Sequence, residues 1–179
     1  NPTDAVYYRS LSSLALQRLN LLLATEDLSP EALQTGAELI IGEAVSSANQ
    51  ATLLDPVNYL NWLSLGNVYE FLASLGIDQA REASLAAYEK AGSLNPNNPD
   101  ILLALARLEI AVDNFEGARV HLEKALSIKS NYTSSILLLA QLDVQGRGTQ
   151  VAITRLEEAL RRLPNDINIL FQLGLFRYQ

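Results

Sequence analysis

Few side chains in this sequence could do chemistry. His121 is the sole histidine and cysteine is absent. A multi-histidine metal site, a His-Glu-x-x-His helix, a thiolate cluster and a cysteine nucleophile are therefore all excluded. Gly146-Arg147-Gly148-Thr149 has the glycines of a phosphate-cradling loop but not its Gly-Lys-Ser/Thr ending, and no strand signal precedes it. Its place in the pattern predicts a turn between paired helices, with Thr149 as the N-cap. No Gly-x-Ser-x-Gly elbow occurs. On a helix Glu157 and Glu158 point about 100° apart, and Glu38 and Glu43 about 140° apart, so neither pair converges on a reacting group. Trp62, the only tryptophan, is expected to pack rather than to stack on a ligand. His121 is expected at an exposed position of a helix. Asn131-Tyr132-Thr133 fits a glycosylation sequon, a pattern too short to carry weight. We expect no catalytic residue, no cofactor site and no metal site.

The elements that would position a site must then carry the function. The chain has 179 residues, 49% of them apolar, and a net charge of −7. That is enough apolar content for a continuous core and argues against disorder. The acidic balance disfavours nucleic acid, which needs a basic face. Arg161-Arg162, the only adjacent basic pair, falls where a helix should end and complements its dipole. The greasiest run, Ile101 to Val112, holds Arg107 and Glu109 and is too short to span a bilayer, so no direct membrane insertion is expected. No signal peptide is visible. Methionine is absent even at position 1, and the expectation is a piece of a longer protein, cytoplasmic or tethered to a membrane protein. The compartment is not readable.

One spacing recurs along the chain. Ala118 and Ala152, Leu122 and Leu156, Ala125 and Ala159, Leu105 and Leu139, Leu139 and Leu173, and Ala91 and Ala125 are each 34 residues apart. Small residues on this period let two helices approach closely, and the leucines fill the space between successive hairpins. Pro96 and Pro164 stand where helices should stop, and Ser29-Pro30 reads as an N-cap followed by proline in the first turn.

Trp62-x-x-Leu65-Gly66-x-x-Tyr69 and Ala118-x-x-x-Leu122-x-x-Ala125 resemble the two helices of the tetratricopeptide repeat, and the resemblance covers nearly the whole chain. It implies an all-α fold, a right-handed superhelical solenoid of helical hairpins. Residues 1–179 read as a single array with repeats at about 5–58, 59–98, 99–132 and 133–166 and a half repeat at 167–179. The first repeat is long, with the excess around the Thr25–Pro30 turn, and the second carries extra residues near Gly76-Ile77-Asp78. Asn1-Pro2 holds the place that Asn95-Pro96 holds later, and 167–179 is apolar for a capping helix, so both ends are expected to cut the array. The opening residues Asn1 to Leu11 and Asn61 to Asn67 are also similar to the soluble tails of bacterial O-antigen-ligase-like membrane proteins.

In that family the first helices line a concave groove for peptides. The equivalent places here are Arg9, Leu63, Leu103, Leu137 and Phe171, then Ser13, Asn67, Arg107, Gln141 and Leu175, then Glu70, Ile110, Val144 and Tyr178. The resemblance implies a non-catalytic scaffold for a protein or peptide ligand, with an apolar ladder beside amides and a guanidinium. The family's clamp for chaperone tails would need Lys and Asn at the places of Arg9 and Ser13, Asn at Ser64, and Lys and Arg at Asp100 and Ala104. Asp100 would repel a terminal carboxylate, which disfavours that specificity. The alternatives are self-association through 167–179 and an accessory role in a larger membrane protein of glycan transfer.

Overall fold

The computed structural model describes residues 4–178. The Asn1-Pro2 pair and Gln179 lie outside the described residues. The chain forms two compact units, Asn1–Pro96 and Asn97–Gln179. All regular structure among the described residues is helical.

The first unit holds α1 (Ala5–Leu23), α2 (Pro30–Leu54), α3 (Tyr59–Ser74) and α4 (Ala80–Leu94). Each start follows from a local signal. Asp4 Oδ1 accepts from the Val6 N–H at 2.8 Å, and Ser29 caps α2 with Pro30 in its first turn. Asn58 Oδ1 accepts from the Leu60 N–H. These side chains satisfy donors that a helix start leaves free. Gly76 and Gln79 take positive φ in the α3–α4 turn, where the extra residues were expected.

Alanine and glycine decide how closely these helices pack. Ala15, Ala44 and Ala48 are buried with Leu19, Val68 and Leu72, and Trp62 packs against their edge. The Trp62 indole N–H also donates to the Pro56 carbonyl at 2.7 Å, so the ring is a packing element. A Cβ on Gly66 would meet the Tyr88 ring at 2.4 Å, so the glycine is a socket for that ring. Tyr88 is fully buried, and its hydroxyl reaches Asn67 Oδ1 at 2.8 Å and the Glu70 carboxylate.

The second unit holds α5 (Pro99–Ile110), α6 (Phe115–Ile128), α7 (Thr133–Gly146), α8 (Thr149–Arg162) and α9 (Ile167–Tyr178). The residues on the recurrent spacing form its core: Ala118, Leu122, Leu139, Ala152, Leu156 and Leu173 are all buried. One expectation is corrected here. Thr149 is not the N-cap of α8; Gly148 is, at φ 93°, and no side chain caps this helix. The turn needs a left-handed residue, which glycine adopts at little cost and β-branched threonine does not.

The second unit also buries charge. Asp143 on α7 is fully buried, with Oδ1 2.7 Å from Arg119 Nη1 of α6 and Oδ2 2.6 Å from Arg155 Nε of α8. Burial pushes the Asp143 carboxyl up, but the two guanidinium hydrogen bonds and charges outweigh it and hold the group below its ordinary value. Asp166 is lowered as well, chiefly by the Thr133 hydroxyl, which donates to its Oδ2 at 2.5 Å.

Candidate functional site

In the first unit α1 and α3 lie side by side with a cleft of about 480 Å³ between them. Along α1 it is lined by Arg9, Ser10, Ser13, Leu14 and Gln17, and along α3 by Leu60, Leu63, Ser64 and Asn67. Each set advances in alternating steps of one and three residues, so each is one stripe of a helix. The stripes bring together four of the expected groove residues: Arg9, Ser13, Leu63 and Asn67.

Arg9 is the single charged side chain on this lining. Its Nη1 donates to Asn61 Oδ1 at 2.9 Å, and the fully buried Asn61 is itself held by donating to the Asp55 carbonyl at 2.8 Å. The relay fixes the guanidinium without neutralising it, because an amide carries no charge. Among the described residues no carboxylate forms an ion pair with Arg9. Ser12 and Ser64 hydroxyls meet at 3.2 Å beneath the cleft and tie the two helices. Leu14, Leu60 and Leu63 supply apolar wall beside the cation, and Asn67 and Gln17 supply amides. Such a surface can hold an apolar side chain while bonding main-chain groups and one anion.

Glu70, one turn beyond Asn67, is tied to Tyr88 and does not line the cleft. The remaining expected residues belong to the second unit. Leu103 is buried in its core, and Ile110 packs against the same cluster. Leu137 and Val144 pack partly buried against the neighbouring cluster. Arg107, Gln141, Phe171, Leu175 and Tyr178 are exposed. Asp100 accepts from the Tyr132 hydroxyl at 2.6 Å. Burial first, then that hydrogen bond and the Asp100 charge, push the phenol up, and Arg107 opposes them.

Leu60, Ser10, Leu14 and Gln17 line the cleft without having been singled out from sequence, and Ser64, considered there only as a place in the chaperone-tail clamp, joins them. The family's places sample one stripe per helix, whereas a cleft between two helices takes both flanks of each. Extending the helical period from Arg9 and Leu63 reaches Gln17 and Leu60, while Ser10, Leu14 and Ser64 lie one residue on, along the adjacent flank. A second cleft of about 390 Å³, in the other unit, has Arg119, Arg147, Asp113 and Glu116 on its lining, two charges of each sign. Glu157 pairs with Arg177, and of the other two glutamates Glu43 pairs with Arg18 at 2.6 Å while Glu38 accepts from Gln34, so Glu38 and Glu43 serve different partners. His121 is half-buried rather than exposed, since α6 turns that position toward its neighbours. Among the described residues no helix is long and apolar enough to cross a membrane.

Residues 78–142 match the family model described as a tetratricopeptide repeat. Solved structures share the fold across almost all of the chain. TTC0263, a TPR protein of Thermus thermophilus, is 17% identical with a TM-score of 0.69, covering 96% of this chain and 100% of that one. The pilF protein of Pseudomonas aeruginosa is 16% identical with a TM-score of 0.70, covering 97% and 68%. YrrB, described as a TPR protein with an unusual peptide-binding site, is 17% identical with a TM-score of 0.60, covering 98% and 77%. No curated protein matches the chain by sequence.

Proposed function

We propose that the chain is a tetratricopeptide-repeat protein and a non-catalytic protein–protein interaction scaffold that takes a peptide segment in the α1–α3 cleft, a reading supported by the family match over residues 78–142 and by the shared fold. The observation that carries this is Arg9: a cation fixed by the neutral Asn61, alone in charge on a lining of leucines, hydroxyls and amides. The partner segment then has an acidic side chain beside one or two apolar ones. Leu14, Leu60 and Leu63 bury the apolar groups, Arg9 bonds the carboxylate, and Asn67 and Gln17 bond the segment's main chain. The peptide-binding site described for YrrB supports the class of ligand, though at 17% identity it lends the fold and not the residues.

The test is selection from a random peptide library followed by titration of the winners. Selected peptides should share an acidic residue next to apolar ones, and Arg9→Ala should weaken them by about ten- to a hundredfold, as loss of a charge-assisted hydrogen bond does. Leu63→Asp should abolish binding. Selected peptides that cross-link only to α2 and α4, or that bind Arg9→Ala unchanged, would overturn the reading.

A further inference from the structure

The α1–α3 cleft is served by a residue that does not reach it. Asn61 is the third residue of α3, is fully buried, and is not on the cleft lining. The third residues of α5, α7 and α9 are Ile101, Ser135 and Ile169, and all three are buried as well. This is therefore a core place of the repeat, filled by isoleucine in two helices of the second unit. An amide in such a place gives up water for whatever bonds the fold supplies, and an aliphatic side chain of similar shape serves the core at least as well.

Both ends of the Asn61 amide are nevertheless engaged. Nδ2 donates to the Asp55 carbonyl at 2.8 Å, and Oδ1 accepts from Arg9 Nη1 at 2.9 Å. The Asp55 carbonyl already takes the Asn58 N–H at 3.4 Å, so it does not depend on Asn61 for a partner. What the first bond does is orient the amide, with Oδ1 toward α1. A guanidinium has donors and no acceptor, so Oδ1 is the one amide atom it can use. The second bond occupies one donor on Nη1 and leaves Arg9 its charge and its other donors. A free arginine side chain loses rotamer freedom when it grips an anion, whereas one already tied down has lost that freedom on folding.

We infer that Asn61 is a positioning residue: the fold accepts an amide in a core place of α3 so that Arg9 is held ready, and the preference of the cleft for acidic over neutral segments is set from beneath it. This rests on the proposed role of Arg9 as the contact for the ligand's carboxylate, and it assigns that selectivity to a buried residue the ligand never touches.

The test uses two peptides that differ only by Glu against Gln at the acidic position, titrated against the parent and against Asn61→Leu. Leucine keeps the branching of asparagine, so the urea midpoint should hold or rise. Affinity for the Glu peptide should fall about three- to tenfold, the effect of ordering one long side chain on binding, and affinity for the Gln peptide should change little. In an Arg9→Ala background the same substitution should alter neither affinity, a coupling that a merely structural role does not give. Asn61→Ser, which places the α7 residue in α3, repeats the test without added volume. With no ligand present, nitrogen NMR of the parent should show slow rotation of the Arg9 guanidinium about its Nε–Cζ bond, and faster rotation in Asn61→Leu. A parent that binds the two peptides alike overturns the role of Arg9 and this inference with it. A parent that prefers Glu, with both Asn61 variants keeping that preference in full, overturns this inference alone. So does an equal loss with and without Arg9, or a freely rotating Arg9 guanidinium in the parent.

Discussion

Asp143 takes two guanidinium groups on its two oxygens, Arg119 at 2.7 Å and Arg155 at 2.6 Å, in a place fully shut off from water. Burying the carboxylate costs several kcal/mol, which the two pairs offset only while both geometries hold. Asp143→Ala should therefore destabilise the second unit by about 3–5 kcal/mol, since it leaves the buried Arg119 and the partly exposed Arg155 without their anion. Urea titration followed by circular dichroism reads the loss. The pH dependence has a definite sign. The folded carboxyl lies below its unfolded value of about 3.9, so the stabilisation is complete above about pH 4 and disappears as pH falls through the lower, folded value. The gap in urea midpoint between the parent and Asp143→Asn should be constant near neutrality and shrink below about pH 4.

Among the helices, glycine shows how one residue type does opposite work. Gly66 of α3 has the Tyr88 ring where its Cβ would be, 2.4 Å away, whereas Gly42 of α2 has open space. Gly66→Ala should cost about 1–3 kcal/mol by overpacking, read by Trp62 fluorescence, since Trp62 belongs to the same unit. Gly42→Ala should add about 0.5–1 kcal/mol, because it only removes glycine's entropy from a helix interior. The helices themselves were legible from sequence. Recurrent alanines and leucines mark contacts between neighbouring helices, and α5, α7 and α9 start 34 residues apart at Pro99, Thr133 and Ile167. Capping was legible where a side chain does it, as at Ser29, and not where backbone conformation does, as at Gly148. The Arg119–Asp143–Arg155 cluster was not legible. Each residue type is ordinarily exposed, and nothing in a spacing of 24 or 12 residues announces that three helices will meet around them. Of the cleft, Arg9, Ser13, Leu63 and Asn67 could be named in advance, and Asn61, which holds Arg9 in place, could not.

For the whole molecule, a net charge of −7 would disfavour an acidic ligand at long range. Arg9 has to overcome that locally, so peptide affinity should fall steeply with added salt. In Arg9→Ala only the long-range repulsion remains, which salt screens, so the residual affinity should hold or rise with salt, and titration at two ionic strengths separates the cases. The two-guanidinium arrangement around Asp143 also constrains how this sequence can drift. Arg155, with 26% of its side chain exposed, can be lost and still leave a balanced pair, and Arg119, at 6%, can be lost at greater cost. Neither loss strands the aspartate. Removing the aspartate first strands both arginines. Any lineage that trades this cluster for a greasy one must therefore give up a cation before the anion, and the three positions can be rewritten only in that order.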